Sequence, residues 1–326
     1  MVFKFKLGLV AALLSALGIT AIAAQPQPAF PARFIRIVSQ FAAGSVSDIT
    51  LRIMADRAGA RLKTQVLVDN VPTGGGVLAA RQVKAAPPDG HMLVLLSNAT
   101  AVTAAMYKNP GFDALTDFVP ITGMSDFAYV MLVNHQSKLG SLQDFIAAAR
   151  AKPGALNVGT SAPGTTPYLT ALLLKKAAGI DFAIVPFRGA SDLSIALLRN
   201  DIDLVINAYG AVRQNLEDKQ LRAIATTTLS RPSFLPDVPT AHESAIPNFE
   251  VSSWNGIFAP AQTPPAVIGR LAQEIQASLA EPEVAKRFVE RGVEIWPAPA
   301  ADLSKRLKEE IVRWNRVIDD AGIARE

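Results

Sequence analysis

The chain contains no cysteine. That absence excludes disulfides, thiolate catalysis and cysteine-ligated metals, and also a lipid anchor on a cysteine after an export signal. Histidine is scarce: His91, His135 and His242 are the full set. None sits at a loop position suited to catalysis, so a Ser-His-acid triad has little to draw on. Charged residues make up only 18% of the chain, and the formal net charge of +4 includes Lys4 and Lys6 near its start. A nucleic-acid footprint needs cations clustered along one face, and no such cluster is present. No set of acids and histidines has metal-site spacing. Repeats, low-complexity tracts and a flexible linker are missing as well.

What is present is apolar bulk. Half of the 326 residues are hydrophobic, enough for two ordinary domains with a core in each. At the N-terminus two lysines precede an apolar run from Leu7 to Ala24, which ends in Ala21-Ile22-Ala23 before Gln25-Pro26-Gln27-Pro28. A positive start, an apolar middle and small residues at the end predict a secretory signal peptide over residues 1–24. An uncleaved anchor is the alternative, because about 18 apolar residues is the lower edge of a membrane span. Export to the periplasm leaves the mature protein without ATP or NAD, so no cofactor is expected.

Short β-branched runs alternate with helical stretches, which predicts an α/β fold with mostly parallel strands. Strands are expected at 34–38, 66–68, 93–96, 129–133, 156–158, 182–185, 204–206 and 221–225. Ser47 or Asp48 is expected to cap a helix whose Leu51, Met54, Ala55, Ala58 and Leu62 form one buried stripe. Thr166 is expected to cap a second helix, with Pro167 in its first position and Gly179 as its stop. Leu303, Leu307, Ile311, Trp314 and Ile318 repeat at helical spacing and read as core.

Two strand-to-helix loops hold the chemistry. The first, Phe41-Ala42-Ala43-Gly44-Ser45-Val46-Ser47-Asp48, is rich in small residues that let a ligand approach the backbone. Its unpaired N–H groups and the helix dipole favour an anion, although a tight turn capped by Asp48 fits the same residues. The second, Gly159-Thr160-Ser161-Ala162-Pro163-Gly164-Thr165-Thr166, has the same character. It begins a G-x-S-x-G elbow, but Pro163 replaces the last glycine; an exported hydrolase using Ser161 is the alternative to a binding role. Ser97-Asn98-Ala99-Thr100 either offers donors to a cleft or caps the next helix. Asp69-Asn70 with Gly74-Gly75-Gly76 is a cleft-entrance loop or a structural turn. Arg188 can pair with a distal carboxylate or lie on the surface, and Asn207 or Tyr209 ends a strand where a ligand would sit.

A stiff path follows, Leu235-Pro236-Asp237-Val238-Pro239-Thr240 with Glu243, then Trp254-Asn255-Gly256, Ala259-Pro260 and Thr263-Pro264-Pro265. Its prolines predict a surface segment outside helices and central strands. Together with the Phe41–Asp48 loop, this order resembles the Bug receptors, the extracytoplasmic solute-binding proteins of tripartite tricarboxylate transporters. The resemblance runs from about Phe30 to the C-terminus. It departs at Ser45, where the family has a second glycine, at Ala162-Pro163 in a Ser-Gly-x-Gly-Ser-like run, and at Phe187-Arg188-Gly189 in place of Tyr-Lys-Gly.

The resemblance implies a type II periplasmic-binding-protein fold of two α/β lobes, with mostly parallel or mixed sheets and a ligand cleft between them. Lobe one would comprise 25–123 and 226–326, and lobe two 124–225. It implies that Phe41, Ala42, Ala43, Gly44, Ser45, Ser47 and Asp48 form one jaw around a ligand carboxylate. Ser161, Ala162, Gly164 and Thr165 would form the other, with Ser97, Asn98, Thr100, Arg188, Asn207 and Tyr209 around them. The expected ligand is a small organic anion, a mono- or dicarboxylate, bound by a monomer without catalysis. The expected partners are integral-membrane permease subunits, or alternatively a membrane sensor.

Overall fold

A computed structural model describes residues 30–72, 76–187 and 189–325. The expected signal peptide, Gly74, Gly75 and Arg188 lie outside the described residues. Among those described, no helix is long and apolar enough to cross a membrane.

The first part of the chain alternates strand and helix: β1 (Ile35–Ser39), α1 (Val46–Leu62), β2 (Val66–Asn70), α2 (Val77–Lys84), β3 (Met92–Ser97) and α3 (Asn98–Met106). A long strand, β4 (Phe118–Asn134), leads to α4 (Leu142–Ala151), β5 (Asn157–Thr160), α5 (Thr166–Ala178), β6 (Ala183–Pro186), α6 (Ala190–Leu198), β7 (Leu204–Ala208), α7 (Tyr209–Glu217) and β8 (Leu221–Thr226). The chain closes with α8 (Ala241–Ser244), β9 (Ser252–Pro260), α9 (Pro265–Leu279), α10 (Pro282–Val289), β10 (Glu294–Ile295) and α11 (Ala300–Asp320).

Each expected strand appears within about two residues, except that 129–133 is only the last part of the longer β4, and the α1 stripe from Leu51 to Leu62 is buried. On α11, Leu303, Leu307, Trp314 and Ile318 are buried and Ile311 half-buried, joined with Phe145, Leu169, Leu204 and Trp254 in one continuous apolar cluster. Helix caps differ from expectation. Ser45, not Ser47 or Asp48, caps α1, its Oγ accepting the Asp48 N–H at 3.2 Å. Thr165, not Thr166, stands at the cap of α5, which places Pro167 second. In both cases a glycine with φ of 79°, Gly44 or Gly164, turns the chain one residue before the cap and so fixes where the helix starts.

The sheets are mixed. β1 pairs in parallel with β2 and β3, and β5 with β6 and β7, but β9 runs antiparallel to β3 and β4, and β4 antiparallel to β7 and β8. The expectation of mostly parallel strands fails at β4 and β9. The chain between them runs through α4 to α8 and the strands of the second sheet, and β9 returns beside β4 in the opposite direction. β9 also corrects the surface path: residues 235–240 are irregular, but 252–260 form a central strand with Trp254, Asn255, Ile257 and Ala259 fully buried. Pro260 is tolerated because it is the last residue of the strand, and Pro120 because it sits at a register shift of β4.

Two sheets share β4. Phe118–Ala128 pairs with β9, and Tyr129 onward pairs with β7 and β8, so the strand passes from one sheet to the other between Ala128 and Tyr129. This places the C-terminal ends of β1, β3, β5 and β7, and the helix starts that follow them, around the junction of the sheets.

Candidate functional site

The first loop is a four-residue turn, closed by the Ser45 N–H donating to the Ala42 carbonyl at 3.2 Å with Gly44 in third place. That is the pattern of a type II turn, which requires positive φ at its third residue. Asp48 holds the turn from beneath. Its carboxylate accepts the Gly44 N–H at 2.8 Å, Arg52 Nε at 3.1 Å and Asn70 Nδ2 at 2.8 Å. Burial alone would raise the Asp48 pKa; the bonds from Arg52, Asn70 and Gly44 outweigh it and hold the carboxyl below its ordinary value. Asn70 also donates to the Phe41 carbonyl at 2.9 Å, and Ser47 Oγ accepts from the buried Asn255 amide at 3.2 Å. The N–H groups of Ala42, Ala43, Val46 and Ser47 have no acceptor among the described residues.

The second loop repeats the turn. The Thr165 N–H donates to the Ala162 carbonyl at 3.2 Å, and Gly164 takes the third place. Here neutral groups give the support: Ser161 Oγ and Thr165 Oγ1 lie 3.0 Å apart, and Thr165 Oγ1 donates to the Ala162 carbonyl at 2.7 Å. Proline favours the second place of this turn, and Pro163 occupies it. The N–H groups of Ser161, Ala162, Gly164 and Thr166 have no acceptor among the described residues. No histidine approaches Ser161; His91 bonds the Ala32 N–H and His242 the Asn248 N–H, on other elements.

Against the second turn lies a cavity of about 350 Å³, lined by residues 163–167, α3, Tyr129, Ser253 and, from the first loop, Phe41. Its floor is a polar knot. Asn98 Nδ2 donates to Thr166 Oγ1 at 2.7 Å, Ser253 Oγ donates to Asn98 Oδ1 at 2.6 Å, and the Tyr129 hydroxyl bonds with all three residues. Burial pushes the Tyr129 phenol up, against the pull of those bonds, so it stays neutral at any physiological pH. The described lining carries no charged side chain. An anion here would be held by N–H groups, hydroxyls and helix starts alone.

The sequence-predicted residues sort by geometry. Phe41, Asn98, Gly164 and Thr165 line the cavity. Ala42, Ala43, Gly44 and Ser45 form the first turn and Ala162 opens the second, with Ser47 and Ser161 just outside the turns, and none of these seven lines the cavity. Asp48 faces Arg52 and Asn70 instead, and its negative charge would repel a carboxylate. Ser97 and Thr100 are buried in a capping box on α3, so both hydroxyls are spent within the protein. Tyr209 packs into core: its ring stacks on Phe234 at 4.5 Å, and burial pushes its phenol up. Asn207 Oδ1 accepts the Ala208 N–H, while its Nδ2 is buried with no partner among the described residues. Asn70 and Gly76 support the first loop, since a Cβ on Gly76 would strike Gln40.

Tyr129, Ser253, Val102 and Met106 line the cavity without having been predicted for it, and Thr166, expected in the second loop, lines it too. The alternation of Ser253 and Asn255 was the available signal for β9, masked by the prolines on either side.

Two α/β lobes with a cleft at the strand ends define a class, the periplasmic binding proteins. The model of the TctC family, tripartite tricarboxylate transporter family receptor, matches residues 50–323, and the chain belongs to that family. It is therefore a solute-binding receptor by family. A UPF0065 protein from the tcbD-tcbE intergenic region of a Pseudomonas species is 33% identical over 90% of this chain and 88% of its own. Among solved structures, the periplasmic binding protein BugD superposes with a TM-score of 0.73 at 27% identity, covering 91% of this chain and 100% of that one. A Rhodopseudomonas palustris protein solved with adipate gives 0.76 at 28% identity, with the same coverage.

Proposed function

We propose that this protein is a periplasmic receptor that captures a small carboxylate-bearing metabolite between its lobes and delivers it to a membrane permease. The observation that carries the reading is the pair of matching turns, one at the start of α1 and one at the start of α5, each with N–H groups that have no acceptor among the described residues. Both sit at helix N-termini, where the dipole adds to the attraction for an anion. In this reading Phe41–Ser47 and Ser161–Thr165 clasp the carboxylate, and Asn98 and Tyr129 form the floor. The bound adipate of a relative is itself a carboxylate.

The N-terminal run directs export and is cleaved, so capture takes place in the periplasm by a monomer. Lobe one comprises residues 25–123 together with 226–326, and lobe two residues 124–225. The passage of β4 between sheets supports hinge closure near that boundary. Capture involves no bond making. Each charge-assisted hydrogen bond contributes about 1.5–3 kcal/mol. Four of them come to about 6–12 kcal/mol before ordering costs, compared with about 8 for micromolar affinity.

A thermal-shift screen of mono-, di- and tricarboxylates tests this, because a ligand that binds only the folded state raises its melting temperature. At least one carboxylate should stabilise the protein while its amide analogue does not. Equal stabilisation by acid and amide would end the anion-capture reading.

A further inference from the structure

We infer that Tyr209 is a positioning residue, a knob on lobe two that seats in a socket of lobe one and sets how closely the first jaw meets the opposite lobe. The inference rests on the receptor reading above, with its division into lobes, and names the contact on which capture closes. Tyr209 is the first residue of α7, directly after β7 of the second sheet, and is 8% exposed. Its ring stacks on Phe234 at 4.5 Å between centres. Phe234 belongs to the proline-rich path between β8 and α8, and its neighbour Ser233 ties that path to lobe one, the Ser233 N–H donating to Glu294 Oε1 on β10 at 2.7 Å. The rest of the socket is Gly292, in the turn between α10 and β10. A Cβ at position 292 would collide with Tyr209 Cδ1 and Cε1, so the missing side chain is what admits the ring.

Two further contacts flank the knob. Arg213, one turn along α7, donates to the Glu290 carbonyl. At Gly210 a Cβ would stand 3.3 Å from Val46 Cγ2 and 3.6 Å from the Arg291 carbonyl oxygen. Val46 is the first residue of α1, immediately after the Ala42–Ser45 turn. The start of α7 thus lies against the foot of the first jaw, as the start of α3 meets that of α5 through the 2.7 Å bond from Asn98 to Thr166. The two flanks are built differently. Val102 of α3, Leu169 of α5 and Val317 of α11 share one continuous apolar cluster. α7 meets lobe one through one aromatic ring, one hydrogen bond and the surfaces of two glycines. Burial of apolar area scales with stabilisation, so the α7 flank is the one that parts when the lobes open. Seating of Tyr209 closes it again, and the offset-stacked geometry of the ring pair gives that closure a defined depth.

Because the chain has no cysteine, introduced thiols report the gap between lobes without interference. Spin labels on Gln214→Cys in α7 and Glu283→Cys in α10, both exposed and outside the socket, give the distance by pulsed electron resonance. The otherwise unaltered protein should show one narrow, short distance. Tyr209→Ala should broaden it and add longer distances, whereas Tyr209→Phe, which keeps the ring, should match the parent. Gly292→Asn adds a Cβ on a residue that tolerates the left-handed backbone, so it tests collision and not strain, and it too should lengthen the distance. Arg213→Ala alters a half-exposed side chain and leaves the core untouched; it should raise the longer-distance share about threefold. A broad distribution in the parent overturns the inference, as does a parent-like one in Tyr209→Ala or Gly292→Asn, or a broadened one in Tyr209→Phe. If the first two variants do not fold, Arg213→Ala decides, and an unchanged distribution there overturns it. All these outcomes leave carboxylate capture standing, because the thermal-shift screen of the unlabelled protein decides that reading separately.

Discussion

The Ala42–Ser45 and Ala162–Thr165 turns share a closing bond of 3.2 Å and a third-place glycine at φ of 79°, yet they are supported by different chemistry. An ionised carboxylate, Asp48, holds the first through Gly44, Arg52 and Asn70. The second is held by a hydroxyl pair and a proline, all neutral. One backbone shape can thus rest on charge in one lobe and on covalent stiffness in the other. The two jaws should respond differently to mutation and to acid.

The largest effect is expected at Asp48. Asp48→Ala strands the Gly44 N–H, the Asn70 amide and Arg52, and should lower stability by about 2–3 kcal/mol in urea unfolding. Thr165→Ala, which removes the hydroxyl pair of the other turn, should cost about 1 kcal/mol. Equal costs would remove the contrast. The pH dependence has a definite sign. The folded pKa of Asp48 is lowered, so its contribution is complete above the unfolded value near 3.8 and fades as pH falls through the folded one. The stability gap between the parent and Asp48→Asn should therefore close in acid, in urea midpoints taken from pH 6 to pH 3. A gap that widens on acidification would contradict the assignment.

The glycines test the common backbone. Gly44→Ala and Gly164→Ala should each cost about 1–2 kcal/mol from left-handed strain. The two costs should match, because a Cβ meets nothing within 4 Å at Gly44 and only the Met106 side chain, its Cε at 3.5 Å, at Gly164. The smallest effect comes from copying Pro163 into the first turn. Ala43→Pro should stabilise the unliganded protein by about 0.4–1 kcal/mol while removing an N–H. If that N–H meets the ligand, the melting temperature rises and affinity falls in the same variant; unchanged affinity would take Ala43 out of the jaw.

Much of this was legible from residues. The α1 stripe, the α11 stripe and both glycine turns follow from spacing and from the need for positive φ at Gly44 and Gly164. Hydroxyls were harder. Ser97 and Thr100 look like donors in a sequence, but their separation of three residues is also that of a capping box, and α3 consumes them both. Asp48 looks like part of a ligand loop, yet the position that holds the loop is the one its carboxylate fills. β9 was hidden because proline rules forbid positions inside a strand and do not forbid its last residue. Tyr129 carried no local signal, since its role depends on Asn98, Thr166 and Ser253 arriving from three distant segments.

The 17 residues of β4 are divided between the two sheets, which makes the molecule indivisible. Severing the chain near Ala128 would leave each fragment with a raw sheet margin of unmet N–H and C=O groups, an invitation to aggregation. Neither half should survive expression alone, and heat should melt both together in one step.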